Sequence, residues 1–340
     1  MKPDPRKFSE RLTVTQKLRW GFLGAGGIAP TIATDFQIAG ITIQAVATRD
    51  LVRSNTFADK FGIPNRYDSY ATLVADPEVD IVYVSTTQNF HHRDALMVIN
   101  AGKHLLLEKP FTLDAEEAAE IQAAALEMKV FVMEAMWTRF LPTMVEVFTL
   151  LEQGVIGDPR IVYADHSQHL LPKRAPRLWN PALGGGALLD LGIYPVSFAA
   201  RVLGLPSEVV ARSTLTEQGI DEITSMIFRY DNGAHAILET SMVTAGPVSA
   251  TIHGTQGRIE IDRPFYEQTS FTVFDLNSSV VQRYEKKIDG RGMQYQAVHV
   301  EECIQAGLLE SPIMTLSESV SLMKLMDEMR SQTGITYTQS

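Results

Sequence analysis

Leu18-Arg19-Trp20-Gly21-Phe22-Leu23-Gly24-Ala25-Gly26-Gly27-Ile28-Ala29 decides the reading of the first half of the chain. A short apolar strand runs into a glycine-rich turn, and a helical pattern follows. In the spacing Gly24-x-Gly26-x-x-Ala29, glycines stand where a backbone must turn tightly and let a pyrophosphate reach the free N–H groups of a helix start. Such turns also occur without a ligand. Here the turn follows the first apolar strand of a β-α-β unit, which is the context a dinucleotide site requires.

Working outward, short apolar strands alternate with amphipathic helices: strands at 18–23, 41–47, 81–84, 104–107 and 130–133, helices at 51–61, 92–101 and 115–128. Apolar strands separated by helices give a parallel sheet covered on both faces. After about residue 140 the pattern changes. Helices at 141–152 and 186–203 precede strands at 209–215, 223–230, 234–243, 248–253, 258–261, 271–276 and 280–286, joined by short turns, of which Asp231-Asn232-Gly233 is a hairpin signal. Two closing helices, about 293–307 and 317–332, are expected to cover one face of a mostly antiparallel sheet. The reading is an α/β chain. A solvated arm over 1–16 leads to an N-terminal Rossmann fold over 17–140, followed by a C-terminal α+β domain over 141–340 with a large, open-faced sheet.

Composition narrows the function. The 340 residues are 45% hydrophobic, enough for two cores, and carry a net charge of −10 with no compensating basic cluster, which argues against nucleic acid as a partner. A single cysteine, Cys303, rules out an intramolecular disulfide framework and cysteine-based metal sites. His166 and His169 lack a third ligand nearby in sequence, so no metal is expected. Without an apolar leader or a long apolar run, the chain is expected to be cytoplasmic and off the membrane. The open sheet face points to a homodimer or higher homo-oligomer.

The strand His104-Leu105-Leu106-Leu107 ends in Glu108-Lys109-Pro110, which delivers a carboxylate and an ammonium to the carboxyl edge of the sheet, where ligands bind in open α/β folds. NAD-preferring enzymes usually place an acidic residue at the end of the second strand. This chain has Thr48-Arg49-Asp50-Leu51-Val52-Arg53 there, with two guanidinium groups four residues apart, suited to a 2′-phosphate. The cofactor expected is therefore NADP, NAD being the lesser fit; the plainer alternative is a solvated helix start with Asp50 as N-cap.

Gly24-x-Gly-Gly-Ile28-Ala29, Thr86-Thr87-Gln88-Asn89-Phe90-His91, Ala101-Gly102-Lys103-His104 and Glu108-Lys109-Pro110 together resemble the Gfo/Idh/MocA oxidoreductase family. Met133-Glu134-Ala135-Met136-Trp137-Thr138-Arg139-Phe140 and Asp190-Leu191-Gly192-Ile193-Tyr194 are similar to its branch of dimeric dihydrodiol dehydrogenases and NADP-dependent D-xylose 1-dehydrogenases. The resemblance implies Lys109, Tyr194, His91 and Asp190 as catalytic residues. It implies Gly24, Gly26, Gly27, Ile28, Arg49, Arg53, Thr86, Thr87, Glu108, Lys109 and Arg139 as cofactor contacts, and Trp137, Asp190 and Tyr194 on the substrate side. Thr86-Thr87-Gln88 departs from the family's Thr-Pro-Asn, which bears on the backbone beside the nicotinamide. Trp137 reads equally as a packing residue.

The implied chemistry is hydride transfer between NADP and a secondary alcohol or hemiacetal of a sugar, polyol or vicinal diol. It needs a group to take the hydroxyl proton and a positive charge where an alkoxide develops. A phenol must be lowered by roughly two to three pKa units to serve near neutrality, about 3–4 kcal/mol, and an ammonium about 4 Å away contributes roughly that much. Tyr194 is thus read as acid/base, Lys109 as its electrostatic activator, and His91 and Asp190 as orienting or relaying groups. The alternatives are a ketosugar reductase of the same family, a non-catalytic NADP-binding regulator, and an NAD-dependent glycosidase that recycles its bound cofactor.

Overall fold

A computed structural model describes residues 18–171 and 175–337; the arm expected over 1–16 lies outside them. Two units form. The first comprises the described residues up to 112, with 116–141 and 288–320; the second comprises 113–115, 142–287 and the residues from 321 on.

In the first unit, β1 (Trp20–Leu23), β2 (Ile43–Ala47), β3 (Asn65–Tyr67), β4 (Ile81–Val84), β5 (His104–Glu108) and β6 (Val132–Ala135) make one sheet in the order β3-β2-β1-β4-β5-β6. All its pairings are parallel. β1, β4 and β6 are buried along their whole length because helices lie over them, which is why β1 and β4 read as unbroken apolar runs, β6 being interrupted by Glu134. Strand order reverses between β1 and β4, the switch point at which open α/β sheets bind ligands. β3 was not foreseen, since its three half-buried residues, Asn-Arg-Tyr, have no apolar signal.

The segment 288–320 corrects the domain boundary read from sequence. Helix Gln294–Gln305 packs on helix Ala29–Ala39 of the first unit instead of covering the second sheet. The buried Trp20 indole donates to Glu301 Oε1 at 2.8 Å. Asp35, 1% exposed, accepts the amides of Arg291 and Met293 at 2.9 and 2.8 Å.

The second unit holds β7 (Pro159–Ser167), β8 (Glu208–Leu215), β9 (Asp221–Arg229), β10 (His235–Ser241), β11 (Ala250–Gly254), β12 (Gly257–Ile261), β13 (Phe271–Asp275) and β14 (Val280–Tyr284). Their order is β14-β13-β12-β11-β7-β10-β9-β8, antiparallel except where β7 runs parallel to β10. β7 is absent from the strands read from sequence, because Pro159, Arg160 and Asp165 break its apolar pattern. Helix Ile193–Leu203, buried from 193 to 200, lies on β7 and β10, while of the two closing helices the last, Leu316–Thr333, reaches this sheet, where Gln332 bonds to the β8 backbone at Ala211 and Val209. The stretch Pro181–Leu203 is long and apolar enough to cross a membrane, but 83% of that window is buried inside the protein, as in a core helix. The opposite sheet face alternates exposed and buried residues along β8, β9 and β10. It leaves Val210, Ile227, Ile237 and Tyr163 at the surface, around a groove of about 430 Å³ that Arg212 and Glu239 also line.

Candidate active site

At the carboxyl end of β1, Gly24 adopts φ +97°, and a Cβ there would meet the Ser85 backbone at 3.2 Å. Glycine is required on both counts. The amide of Gly24 donates to the Ala47 carbonyl at 2.9 Å, and Ser85 Oγ donates to the Gly24 carbonyl at 3.2 Å, tying the turn to its neighbouring strand ends. A Cβ on Gly27 would meet nothing within 4 Å, so its outer side is open. Helix Ala29–Ala39 then begins at Ile28 with no side-chain cap and no acid in its first turn. An uncapped helix start behind an open glycine turn fits a pyrophosphate, whose oxygens would take those N–H groups.

Beyond β2, Asp50 is the helix N-cap, its Oδ1 accepting from the Val52 amide at 2.9 Å. Arg49 and Arg53 are exposed, and among the described residues neither forms an ion pair. The Arg49 guanidinium lies 5.8 Å from the centre of the Phe90 ring, and that of Arg93 lies 4.5 Å from it. Cationic, open and bordered by an aromatic ring, this edge suits an adenosine phosphate. Phe90 appears in the sequence reading only as part of the Thr86–His91 stretch and Arg93 not at all, so neither was picked out as a contact.

Thr86 turns its hydroxyl inward to Asp94 Oδ2 at 2.8 Å, and Thr87 precedes the 3₁₀ turn Gln88–Phe90. His91 is 1% exposed. Its Nδ1 lies 2.8 Å from the Pro110 carbonyl oxygen and its Nε2 3.2 Å from that of Thr86. Burial holds its pKa below the ordinary histidine value, with the backbone carbonyls opposing. An imidazole enclosed in this way braces the Thr86 turn against the residue after Lys109; of the two roles read from sequence, orienting or relaying, these contacts suit the orienting one.

Glu108 is buried, accepting from the Tyr83 hydroxyl at 2.6 Å and from the Lys109 amide at 3.2 Å. Its carboxylate therefore anchors the strand end while Lys109, half-buried, follows it through a cis bond to Pro110. Arg139 differs from expectation. It is 3% exposed and pairs with Glu318 at 2.7 Å, donating also to the Ile313 carbonyl at 3.2 Å, so it fastens the returning segment and presents no guanidinium to a nucleotide. Trp137, 3% exposed with the Arg291 guanidinium 5.2 Å from its ring centre, is packed in the way its plainer reading held.

In the second unit, Asp190 sits in a π-helical turn, Leu188–Gly192, directly before helix Ile193–Leu203 with Tyr194 in its first turn. Sequence periodicity reads both as one helix; π turns break that period and recur at functional sites. The Asp190 carboxylate is 4% exposed and takes a forked bond from Arg177 at 2.8 and 3.3 Å. Around Tyr194 stand His166, at 5.0 Å between ring centres and edge-on, and Tyr266, at 5.1 Å. Arg177 and Tyr266 escaped the sequence reading, being distant from the motif along the chain. Asp221 underlies the turn, accepting from the Leu188 amide at 2.7 Å, and burial pushes its pKa up to about 6.

A switch-point glycine turn with an uncapped helix, joined in one chain to a unit bearing an aspartate and tyrosine on a helix start, defines a nicotinamide-nucleotide oxidoreductase. The chain belongs to the Gfo/Idh/MocA family: the NAD-binding Rossmann-fold model of that oxidoreductase family matches residues 18–136, and its C-terminal domain model matches residues 144–260. It is 37% identical over 334 residues to the trans-1,2-dihydrobenzene-1,2-diol dehydrogenase of Xenopus tropicalis, covering 94% of this chain and 99% of that protein. To the Homo sapiens protein of that name it is 34% identical over 331 residues, covering 95% and 98%. Among solved structures it is similar to an aldose-aldose oxidoreductase from Caulobacter crescentus complexed with glycerol (TM-score 0.85, 24% identity, 94% and 98% of the two chains). It is similar also to KijD10, a 3-ketoreductase from Actinomadura kijaniata in complex with NADP and TDP-benzene (TM-score 0.81, 25% identity, 95% and 100%).

Proposed function

We propose that the protein is an NADP-dependent dehydrogenase acting on a secondary alcohol or hemiacetal of a sugar, polyol or vicinal diol. The observation that carries the cofactor choice is the pair Arg49 and Arg53, exposed at the end of β2 and, among the described residues, without an ion pair, beside an Asp50 whose Oδ1 serves as helix N-cap. Gly24, Gly26, Gly27 and Ile28 would hold the pyrophosphate, and Thr86, Thr87 and Lys109 would face the nicotinamide end. When bound, the nucleotide supplies the hydride acceptor or donor.

The chain's own residues manage the proton. The Tyr194 phenol takes the substrate hydroxyl proton as general base, and the Lys109 ammonium favours both the phenolate and the developing alkoxide. Asp190, oriented by Arg177, accepts a hydrogen bond from a neighbouring substrate hydroxyl. His91 holds the Thr86 turn and the Lys109-Pro110 corner in register.

The diol reading draws on the dehydrogenases to which the chain is 34–37% identical. Ketosugar reduction is the same chemistry reversed, and the likeness to a 3-ketoreductase favours keeping it as the second reading. The presence of both Lys109 and Tyr194 weighs against a non-catalytic regulator. A cytoplasmic location and a homodimer formed through the open sheet face belong to the same proposal. The test is NADPH formation across aldoses, inositols and trans-diols, repeated with NAD. Turnover with NADP preferred is expected. Equal use of NAD would falsify the cofactor assignment, and substrate cleavage without net NADPH would identify a glycosidase.

A further inference from the structure

The turn that carries Asp190 and Tyr194 cannot close on itself as an ordinary helix. Its π-helical residues Leu188–Gly192 pass into helix Ile193–Leu203, and the α-helical donor for the Leu191 carbonyl would be the amide of residue 195. Residue 195 is proline and has no N–H. The Ile193 amide, the cap of the π turn, reaches this carbonyl from two residues on, and its second lone pair takes a donor from elsewhere.

His166, on β7 of the same unit, provides it. Nδ1 lies 3.1 Å from the Leu191 carbonyl oxygen, and since a carbonyl only accepts, Nδ1 carries the proton. Nε2 is left to accept from the Gln168 side-chain amide at 2.9 Å, and that amide donates also to the Tyr266 hydroxyl at 3.0 Å. The His166 ring is stacked on Tyr266 at 4.3 Å and 26°, and meets Tyr194 edge-on at 67°. One imidazole, 1% exposed, thus bonds to the backbone just before Tyr194 and packs against the Tyr194 ring itself. Thr240 supports the same turn from β10, donating to the Ala187 carbonyl at 3.3 Å.

We propose that His166 is a positioning residue of the active site: through Nδ1 it replaces the helix donor that Pro195 lacks, and so sets the direction in which Asp190 and Tyr194 point. This rests on Tyr194 being the acid/base. Three substitutions separate the effects. His166→Asn places an amide N–H near the position of Nδ1, His166→Gln places one near Nε2 instead, and His166→Phe keeps the ring but offers no donor.

The Asn variant is expected to keep kcat within about fivefold of the parent, while Gln and Phe lose roughly tenfold to a hundredfold, as misaligned reacting groups do. NADP affinity, followed by fluorescence titration, is expected to stay unchanged in all three, because the lesion lies in the second unit. Equal kcat in the Asn and Gln variants, or full kcat in Phe, overturns the proposal. If Phe does not fold, the Asn–Gln pair decides alone. Tyr194→Phe is assayed alongside: full activity there removes the acid/base reading and this inference with it, whereas an inactive Tyr194→Phe beside indifferent His166 variants removes this inference only.

Discussion

At the carboxyl end of β1 the backbone itself forms the binding surface. Gly24 and Gly27 offer no side chain, the following helix start is uncapped, and among the described residues Arg49 and Arg53 form no ion pair. The Leu188–Gly192 turn of the second unit is arranged in the opposite way. Asp190 is gripped by Arg177, the Leu191 carbonyl by His166, and the Leu188 amide by Asp221. One region is left incomplete so that a polyanion can complete it. The other is satisfied in advance, so that a small neutral substrate with few groups to offer meets side chains already aimed.

If that contrast is right, damage to the second region should strike turnover, and damage to the first should strike affinity. Tyr194→Phe is expected to cut turnover by about two orders of magnitude or more with NADP binding nearly intact, and Lys109→Ala to do the same. The double variant should lose much less than the sum if lysine and phenol act as a unit. Lys109→Ala should also move the rising limb of the oxidation rate to higher pH; a drop in rate with the limb unmoved would make the lysine merely positional. Next in size is assembly. Ile227→Asp, which sets a charge in the apolar face at a residue 52% exposed in the isolated chain, should turn a dimer into monomers by light scattering, and a monomeric parent would end that reading.

Arg49→Ala should weaken NADP by roughly 1.5–3 kcal/mol and NAD far less. Similar losses for both nucleotides would place Arg49 against the adenosine rather than the 2′-phosphate. The smallest effect expected is on stability. Glu134, 1% exposed and taking a bond from Ser319 at 2.8 Å, has its pKa pushed up to about 7 by burial. The folded pKa exceeds the unfolded one, so this group's stabilisation is complete below about pH 4.5 and is lost as pH rises toward 7, on the order of 2 kcal/mol. Glu134→Gln should flatten that loss in urea titrations at pH 5 and pH 7.5. Asp221, shifted in the same direction, will leave some slope behind.

The same contrast explains what could be read from the chain. Gly24-x-Gly26-x-x-Ala29 announces itself because a phosphate turn is local: a few consecutive residues must adopt it, and few residue types can. The strand end at Lys109 and the pair Arg49 and Arg53 are equally local. His166 and Tyr266 approach Tyr194 only after β7 and the loop before β13 have folded beside it, and nothing in the run Asp165-His166-Ser167 marks it as such. Arg139 misled because its motif resembles a ligand-binding one while its partner, Glu318, lies far away in sequence. The units do divide near residue 141, but the return of 288–320 to the first unit went unread for a related reason, since helix Gln294–Gln305 has the same amphipathic pattern whichever sheet it covers.

That returning helix bears on how the protein comes into being. Trp20, wholly buried in the first strand, bonds to Glu301, and Asp35 in the first helix serves the amides of Arg291 and Met293. The nucleotide-binding unit is begun by Trp20 and its neighbours and sealed by residues 288–320, which are made much later than they are. Its order of translation is therefore not its order of folding. A fragment ending at residue 140 is expected to bind a hydrophobic dye and to yield quickly to protease, and to tighten when the stretch 288–320 is supplied as a separate peptide; a stable, dye-silent fragment would count against this. Until the later segment arrives, the earlier-made strands and helices of this unit are the part most in need of a chaperone.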